Sequence, residues 1–248
     1  GPQEGLRLPC ENIISIKVKN DGTMNISDLK NKIERSLAEG KVPFFVAGIY
    51  GTTTSGALQN PMALSDFIQS YNKSNRPIFC LLDSCQGAKN LTGLGNALDG
   101  IHMITMDFHK WALVPNTLAV GVSLSQNIKR DFGPDVTPNI HSNFKHHQPP
   151  LVGMVHYLKS LSDTGSLAGA VVGIQSLSRH AGEMVTLFIE LMAQDLNCPF
   201  KLVQHGSYNG QTNAMVCFTL KHNPIEERIL EWQNLFSVDQ ISPKDNIV

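Results

Sequence analysis

Two residues in this chain place an amine and a carboxylate at equivalent points of successive apolar runs. Asp83 closes the run Ile78-Phe79-Cys80-Leu81-Leu82-Asp83. Lys110 follows Ile101-His102-Met103-Ile104-Thr105-Met106-Asp107 and stands between His109 and Trp111. A lysine at the end of an apolar strand is desolvated, which frees its amine to react with an aldehyde. An acid in the same position is costly to bury unless it meets a cation. Groups at the ends of successive strands can point into one crevice, where open α/β sheets bind ligands. An amine that condenses with an aldehyde, and a carboxylate that keeps a pyridine nitrogen protonated, are together what pyridoxal phosphate requires of a protein. Read singly, each residue has a plainer account: a lysine reaching solvent, and an aspartate capping the next turn.

The surrounding segments supply the elements that would position this pair. Glu11 to Lys19 is a short β-rich run stopped by Asn20-Asp21-Gly22, a turn signal. Ser27 is expected to cap a helix with Leu29, Ile33 and Leu37 on one face, ending at Gly40. The continuous apolar run Pro43 to Ile49 reads as a strand covered on both faces. Asn60-Pro61 is a cap followed by proline at the first helical position, and the helix turns Leu64, Phe67, Ile68 and Tyr71 inward. The two runs ending at Asp83 and Asp107 come next, with the turn Ser84 to Ala88 between them, and then a third apolar run from Thr117 to Leu124. Strand and helix in this rhythm predict an α/β fold with a mostly parallel sheet covered by helices. Asp131 to Pro150, rich in Pro, Asn and His, reads as a long loop. Helices follow over Leu151–Leu161 and Ser166–Asp195, the second with candidate breaks at Gly173 or Gly182. Strands near Phe200–Val203 and Ala214–Leu220, with a helix from Pro224 to Phe236, predict a small α+β unit.

Three motifs, in order, carry a resemblance to a known family. Gly51-Thr52-Thr53-Thr54-Ser55-Gly56, Asp83-Ser84-Cys85-Gln86-Gly87-Ala88 and His109-Lys110-Trp111 together resemble the group II pyridoxal-phosphate-dependent amino acid decarboxylases. These share the aspartate aminotransferase-like fold, fold type I. The likeness covers roughly Val42 to Leu124. It implies pyridoxal 5'-phosphate as cofactor, with Lys110 carrying it as a Schiff base, Asp83 on the pyridine nitrogen and His109 beside the phosphate and the Schiff base. It also sets Thr52, Thr53, Cys85 and Gln86 around the cofactor. The implied reaction is decarboxylation of an L-amino acid to its amine, in a homodimer. The implied division is residues 1–150 as part of the cofactor-binding large domain, 151–195 as connecting helices and 196–248 as a truncated small α+β domain.

The chain departs from the family pattern in three places. Cys85 and Gln86 stand where the family has a small residue and a less polar one. Gln86, three after Asp83, is similar to the glutamine with which cysteine desulfurases and class V aminotransferases bond the cofactor's phenolic oxygen. A transaminase or desulfurase-like lyase is therefore the alternative enzyme. Animal-type aromatic decarboxylases protonate the carbanion with a loop tyrosine. No tyrosine lies between Lys110 and His156, which leaves His141, His146 and His147 as candidate acids. The spacing of these three fits no helix face, and no metal site is expected. Finally, the family's phosphate cup and ring-stacking residue lie upstream of the matched segment. The expectation is an excerpt of a longer protein, or a chain whose partner segment is separate, and a non-catalytic binding module is the reading of a different class.

Composition limits the remaining choices. The 248 residues are 42% hydrophobic and 17% charged, enough for a sizeable core. A net charge of -1 gives no electrostatic reason to expect nucleic acid or an anionic membrane as partner. The cysteines (Cys10, Cys80, Cys85, Cys198, Cys217) are scattered and odd in number, so a reducing, cytoplasmic compartment is expected. No run approaches the roughly 20 apolar residues that span a bilayer, and Gly1-Pro2 opens no signal-peptide pattern.

Overall fold

Four short strands carry the site, and their side chains alternate between a packed face and a more open one. They are β1 (Phe45–Ile49), β2 (Phe79–Asp83), β3 (Met103–Asp107) and β4 (Ala119–Ser123), hydrogen-bonded in that order. β1, β2 and β3 run parallel, whereas β4 returns antiparallel to β3, so the sheet is mixed. The computed structural model describes residues 9–52, 56–91, 98–111, 119–135, 156, 159–160, 167–194, 200–202 and 218–220.

Helices α1 (Ile26–Ala38) and α2 (Pro61–Ser74) pack with the sheet into one apolar core. Its fully enclosed members include Tyr50, Leu58, Leu64, Ile68, Ile78, Leu82 and Ile101. Each aliphatic side chain among them contributes about 1.5–3 kcal/mol by leaving water. The Asn60 side chain caps α2 by accepting from the Met62 and Ala63 amides, and Pro61 occupies the first helical position. Leu64 and Ile68 are buried as expected, and Phe67 and Tyr71 pack at the edge of the core.

Several expectations give way. The cap of α1 is Asn25, whose side chain accepts from the Asp28 amide, and Ser27 lies inside the helix. Leu29 and Ile33 are buried, but Leu37 is exposed and the small Ser36 takes the inner place. Gly40 does end the helix, with φ +74 and a pair of closing bonds, Gly40 to Leu37 and Lys41 to Ser36. Glu11 to Lys19 is no strand: Cys10–Asn12 is a 3-10 turn, and only Val18 bridges, to Met24. The Asn20-Asp21-Gly22 turn between those two forms as read, with the Asp21 carboxylate accepting from both the amide and the hydroxyl of Thr23. β1 is not covered on both faces: Val46 and Gly48 face the core, while Phe45 and Ile49 are exposed.

Beyond β4, α4 (Ser125–Phe132) is tied to the sheet by a buried polar network. The His102 imidazole accepts the Cys80 amide at Nδ1 (2.9 Å) and pairs through Nε2 with Asp131 (3.0 Å). Asp131 also accepts from Asn72 and Arg130. Asn127 donates to the carbonyls of Leu98 and Ile101. The helix α5 (Leu167–Gln194) passes through Gly173 and Gly182 without a break and lies against the Ala88–Leu91 turn. β5 (Phe200–Leu202) and β6 (Phe218–Leu220) pair antiparallel as a separate ribbon. The helices expected over Leu151–Leu161 and Pro224–Phe236 fall largely or wholly outside the described residues. Among the described residues, no helix is long and apolar enough to cross a membrane.

Candidate active site

Because β1, β2 and β3 are parallel, the segments that follow them leave the sheet along one edge. Gly51 and Thr52 follow β1, Ser84 to Ala88 follow β2, and the four-residue helical turn α3 (Phe108–Trp111) follows β3. Asp83 and Lys110 thus emerge beside each other from adjacent strands.

Asp83 is fixed by its own turn and by the neighbouring strand. Its Oδ1 accepts from the Cys85 amide (3.1 Å) and from the Thr105 hydroxyl (3.0 Å) of the neighbouring strand. The Cys85 thiol is hydrogen-bonded to the same carboxylate. A half-buried carboxylate fixed in this way is oriented to receive a cation or an N–H donor.

Lys110 has a partner that the sequence reading did not name. Its Nζ lies 2.7 Å from Oδ2 of Asp107, the last residue of β3, and the Asp107 side chain is only 11% exposed. This hydrogen bond raises the lysine above its ordinary pKa; burial works the other way, and the charges of Asp107 and Asp83 add to the rise. The desolvation expected at Lys110 is present, but Asp107 outweighs it. His109 Nε2 stands 3.9 Å from the same Asp107 oxygen. The signal was available: an acid three residues before a lysine, at a strand end that turns into a helix, puts both on one face.

The turn after β2 completes the wall. The Cys85 thiol is pushed up to about 12 by burial and by the Asp83 carboxylate, so it stays protonated at neutral pH. Its Sγ approaches the Thr105 hydroxyl at 3.8 Å. Gln86 is half-buried in the same turn. Gly87 lies so close to Tyr50 that a Cβ would stand 2.5 Å from the Tyr50 carbonyl oxygen, a cradle only glycine fits. Ser84 is fully enclosed, and its hydroxyl has no partner among the described residues.

Thr52 closes its own turn, its hydroxyl accepting from the Ala57 amide at 3.0 Å. Gly51 and Gly56, on either side, take the positive φ values of +83 and +67. Thr53, His141, His146 and His147 lie outside the described residues. Among those described, no cluster of His, Cys, Asp or Glu could hold a metal ion. The donor set fits pyridoxal phosphate at two points: the oriented Asp83 carboxylate suits a protonated ring nitrogen, and Lys110 suits its aldehyde.

Comparison with known proteins agrees with that fit. Residues 6–118 match the family described as pyridoxal-dependent decarboxylase conserved domain. L-2,4-diaminobutyrate decarboxylase of Rhizobium meliloti (strain 1021) is 30% identical over 130 residues, 49% of this chain and 24% of that protein. Among solved structures, Rhodiola rosea 4-hydroxyphenylacetaldehyde synthase superposes with a TM-score of 0.65 at 20% identity, over 94% of this chain and 49% of that one. Mouse CSAD gives a TM-score of 0.62 at 19% identity, over 92% and 47%. At such identities the structural likeness establishes the fold. The chain spans about a quarter of the curated relative's length, and less than half of the two solved structures.

Proposed function

Residues 6–118 carry the conserved domain of the pyridoxal-dependent decarboxylases, and from that premise we propose that the protein containing this chain decarboxylates an L-amino acid to the corresponding amine with pyridoxal 5'-phosphate. The observation that carries the reading is the Asp83 carboxylate, anchored through Oδ1 by Thr105 and Cys85, on the strand next to the one that leads into the Lys110 turn.

The roles of the chain's own residues follow from that geometry. Asp83 would keep a proton on the ring nitrogen, and its two bonds at Oδ1 would stop the carboxylate from turning away. Bound there, pyridoxal phosphate would supply a sink for the electron pair left when a bond to the substrate Cα breaks. Lys110 would hold the cofactor through its amine. Cys85 remains a neutral thiol beside Asp83 and adds no second negative charge to compete for the ring proton. His109, on the same turn as Lys110, is assigned to the cofactor's phosphate side, and Thr52, Thr53 and Gln86 to its rim.

A homodimer and a cytoplasmic location belong to the same proposal. They rest on the family resemblance and on the scattered cysteines, of which Cys10, Cys80 and Cys85 are free thiols. So does the division into residues 1–150, 151–195 and 196–248, supported by the separate β5–β6 ribbon. The test is direct. Protein mixed with pyridoxal phosphate should gain a visible absorption band, and borohydride followed by peptide mapping should put the adduct on Lys110. Carbon dioxide release over a panel of amino acids should then exceed any ketoacid formation. A colourless protein with no adduct refutes the cofactor, and ketoacid without carbon dioxide refutes the reaction.

A further inference from the structure

On the proposed reading Lys110 serves as a reactive amine, yet in this structure its Nζ is engaged by a nearly buried carboxylate at the end of the preceding strand. The geometry is intramolecular and local. Asp107 ends β3, where its backbone is held in register opposite Ala119 of β4. Lys110 is one helical turn further on, so the two side chains meet without any movement of the sheet. Of the groups facing Lys110 from the other elements, Asp83 closes β2 and acts on the lysine as a negative charge, and Cys85 follows it as a neutral thiol. His109, on the lysine's own turn, reaches the same Asp107 oxygen at 3.9 Å. Asp83 is already committed through Oδ1 to Thr105 and Cys85. The two carboxylates therefore have different partners, Asp83 the Thr105–Cys85 pair and Asp107 the amine.

We propose that Asp107 is a positioning residue which parks the Lys110 amine, as its ammonium, at the carboxyl end of β3 and so governs how readily that amine is presented to an aldehyde. The inference rests on the proposed cofactor reading for its purpose, but the parking itself exists without any cofactor. It places a control on loading and release: the amine is available once its proton has left, and a freed Lys110 has a defined place to return to when a substrate amine displaces it. Attack on an aldehyde carbon needs the neutral amine, and Asp107 opposes its formation.

The test uses cofactor-free protein. Competitive acetylation across pH, read by peptide mass spectrometry, gives the midpoint at which Lys110 becomes nucleophilic. The wild-type midpoint should lie above that of a free ε-amine, about 10.4. In Asp107→Asn it should fall, with labelling of Lys110 at about pH 9 rising several-fold, and Asp107→Glu should restore most of the protection. A wild-type midpoint at or below the free-amine value overturns the proposal even if the Asn variant fails to fold. So does an unchanged midpoint in a folded Asn variant. Borohydride trapping with pyridoxal phosphate separates the two claims. Protection by Asp107 without any wild-type adduct keeps the parking and removes the cofactor reading, whereas an adduct on Lys110 with no effect of Asp107 on labelling does the reverse.

Discussion

Replacing His102 by alanine should be among the most damaging single changes in the described core. The imidazole is fully enclosed, with its ring 5.1 Å from Phe79 and 5.2 Å from Phe132. It also stands in for a strand neighbour, because its Nδ1 takes the Cys80 amide just before β3 begins. Alanine would leave that amide buried and unpaired, at about 1–3 kcal/mol. The vacated space is nearly that of a phenyl ring, for which truncations cost about 3–5 kcal/mol. These costs overlap, and a loss of about 4 kcal/mol is expected, a large part of a typical domain's roughly 5–15. Acid sharpens the test. Burial lowers the His102 pKa below 6.5 despite the adjacent Asp131 carboxylate, so the native state binds fewer protons there than the unfolded chain. That contribution is fully present above the unfolded value and is lost as pH falls below about 6.5 toward the folded one. Urea unfolding followed by circular dichroism should show wild-type stability declining as pH falls below about 6.5, and a flatter profile for His102→Ala. A loss under about 1 kcal/mol, or identical pH profiles, would refute this account of the network.

Other expectations are quicker to check. Asp131→Asn should cost less than His102→Ala, because Asn72 and His102 still find an oxygen there; the comparison is made by urea midpoint. In acid Asp131 acts the same way as His102: burial raises its pKa, but bonds from Arg130, Asn72 and His102 hold it lower, so its share of stability is lost as pH falls past about 3.8. Gly87→Ala should force the Cys85–Gln86 turn away from Tyr50 and weaken pyridoxal phosphate binding, measured by titrating absorbance, with a smaller change in unfolding midpoint. Gly100→Ala lies away from the site, where the new methyl would overlap the Ser65 carbonyl; thermal stability should drop while cofactor affinity in the surviving folded protein holds. Thr105→Val should free Asp83 Oδ1 from one of its two donors and lower cofactor affinity roughly tenfold, about 1.4 kcal/mol, without unfolding the sheet.

The strands that carry Asp83 and Lys110 were legible because uninterrupted apolar runs ending in charge leave few alternatives, and the Asn60-Pro61 cap was legible because its chemistry is local. What failed was whatever depended on neighbours. The run Pro43 to Ile49 is apolar throughout, so its composition could not say which face is covered; the structure covers Val46 and leaves Phe45 and Ile49 open. Ser27 and Asn25 are both competent caps, and the choice of Asn25 follows from where the first turn starts, which Asp28 marks by bonding Lys17 across the chain. Glycine costs about 1 kcal/mol in a helix interior, and α5 absorbs three (Gly169, Gly173 and Gly182) across 28 residues. In the candidate site, Asp83 and Lys110 were picked out by residue type, but Thr105 and Asp107 were read only as strand residues. Their roles require knowing that β2 and β3 are parallel neighbours in a register that sets Thr105 opposite Asp83.

That register also limits how the gene can change. Along β2, Phe79, Leu81 and Asp83 share one side of the pleat, and Cys80 and Leu82 are sealed on the other. Adding or removing a single codon between Phe79 and Asp83 would reverse the parity of the strand, turning the acid toward the aliphatic interior and Leu82 or its substitute toward the crevice. Length variation in this lineage is therefore expected in the connections between elements, and not in the five positions leading to the acid.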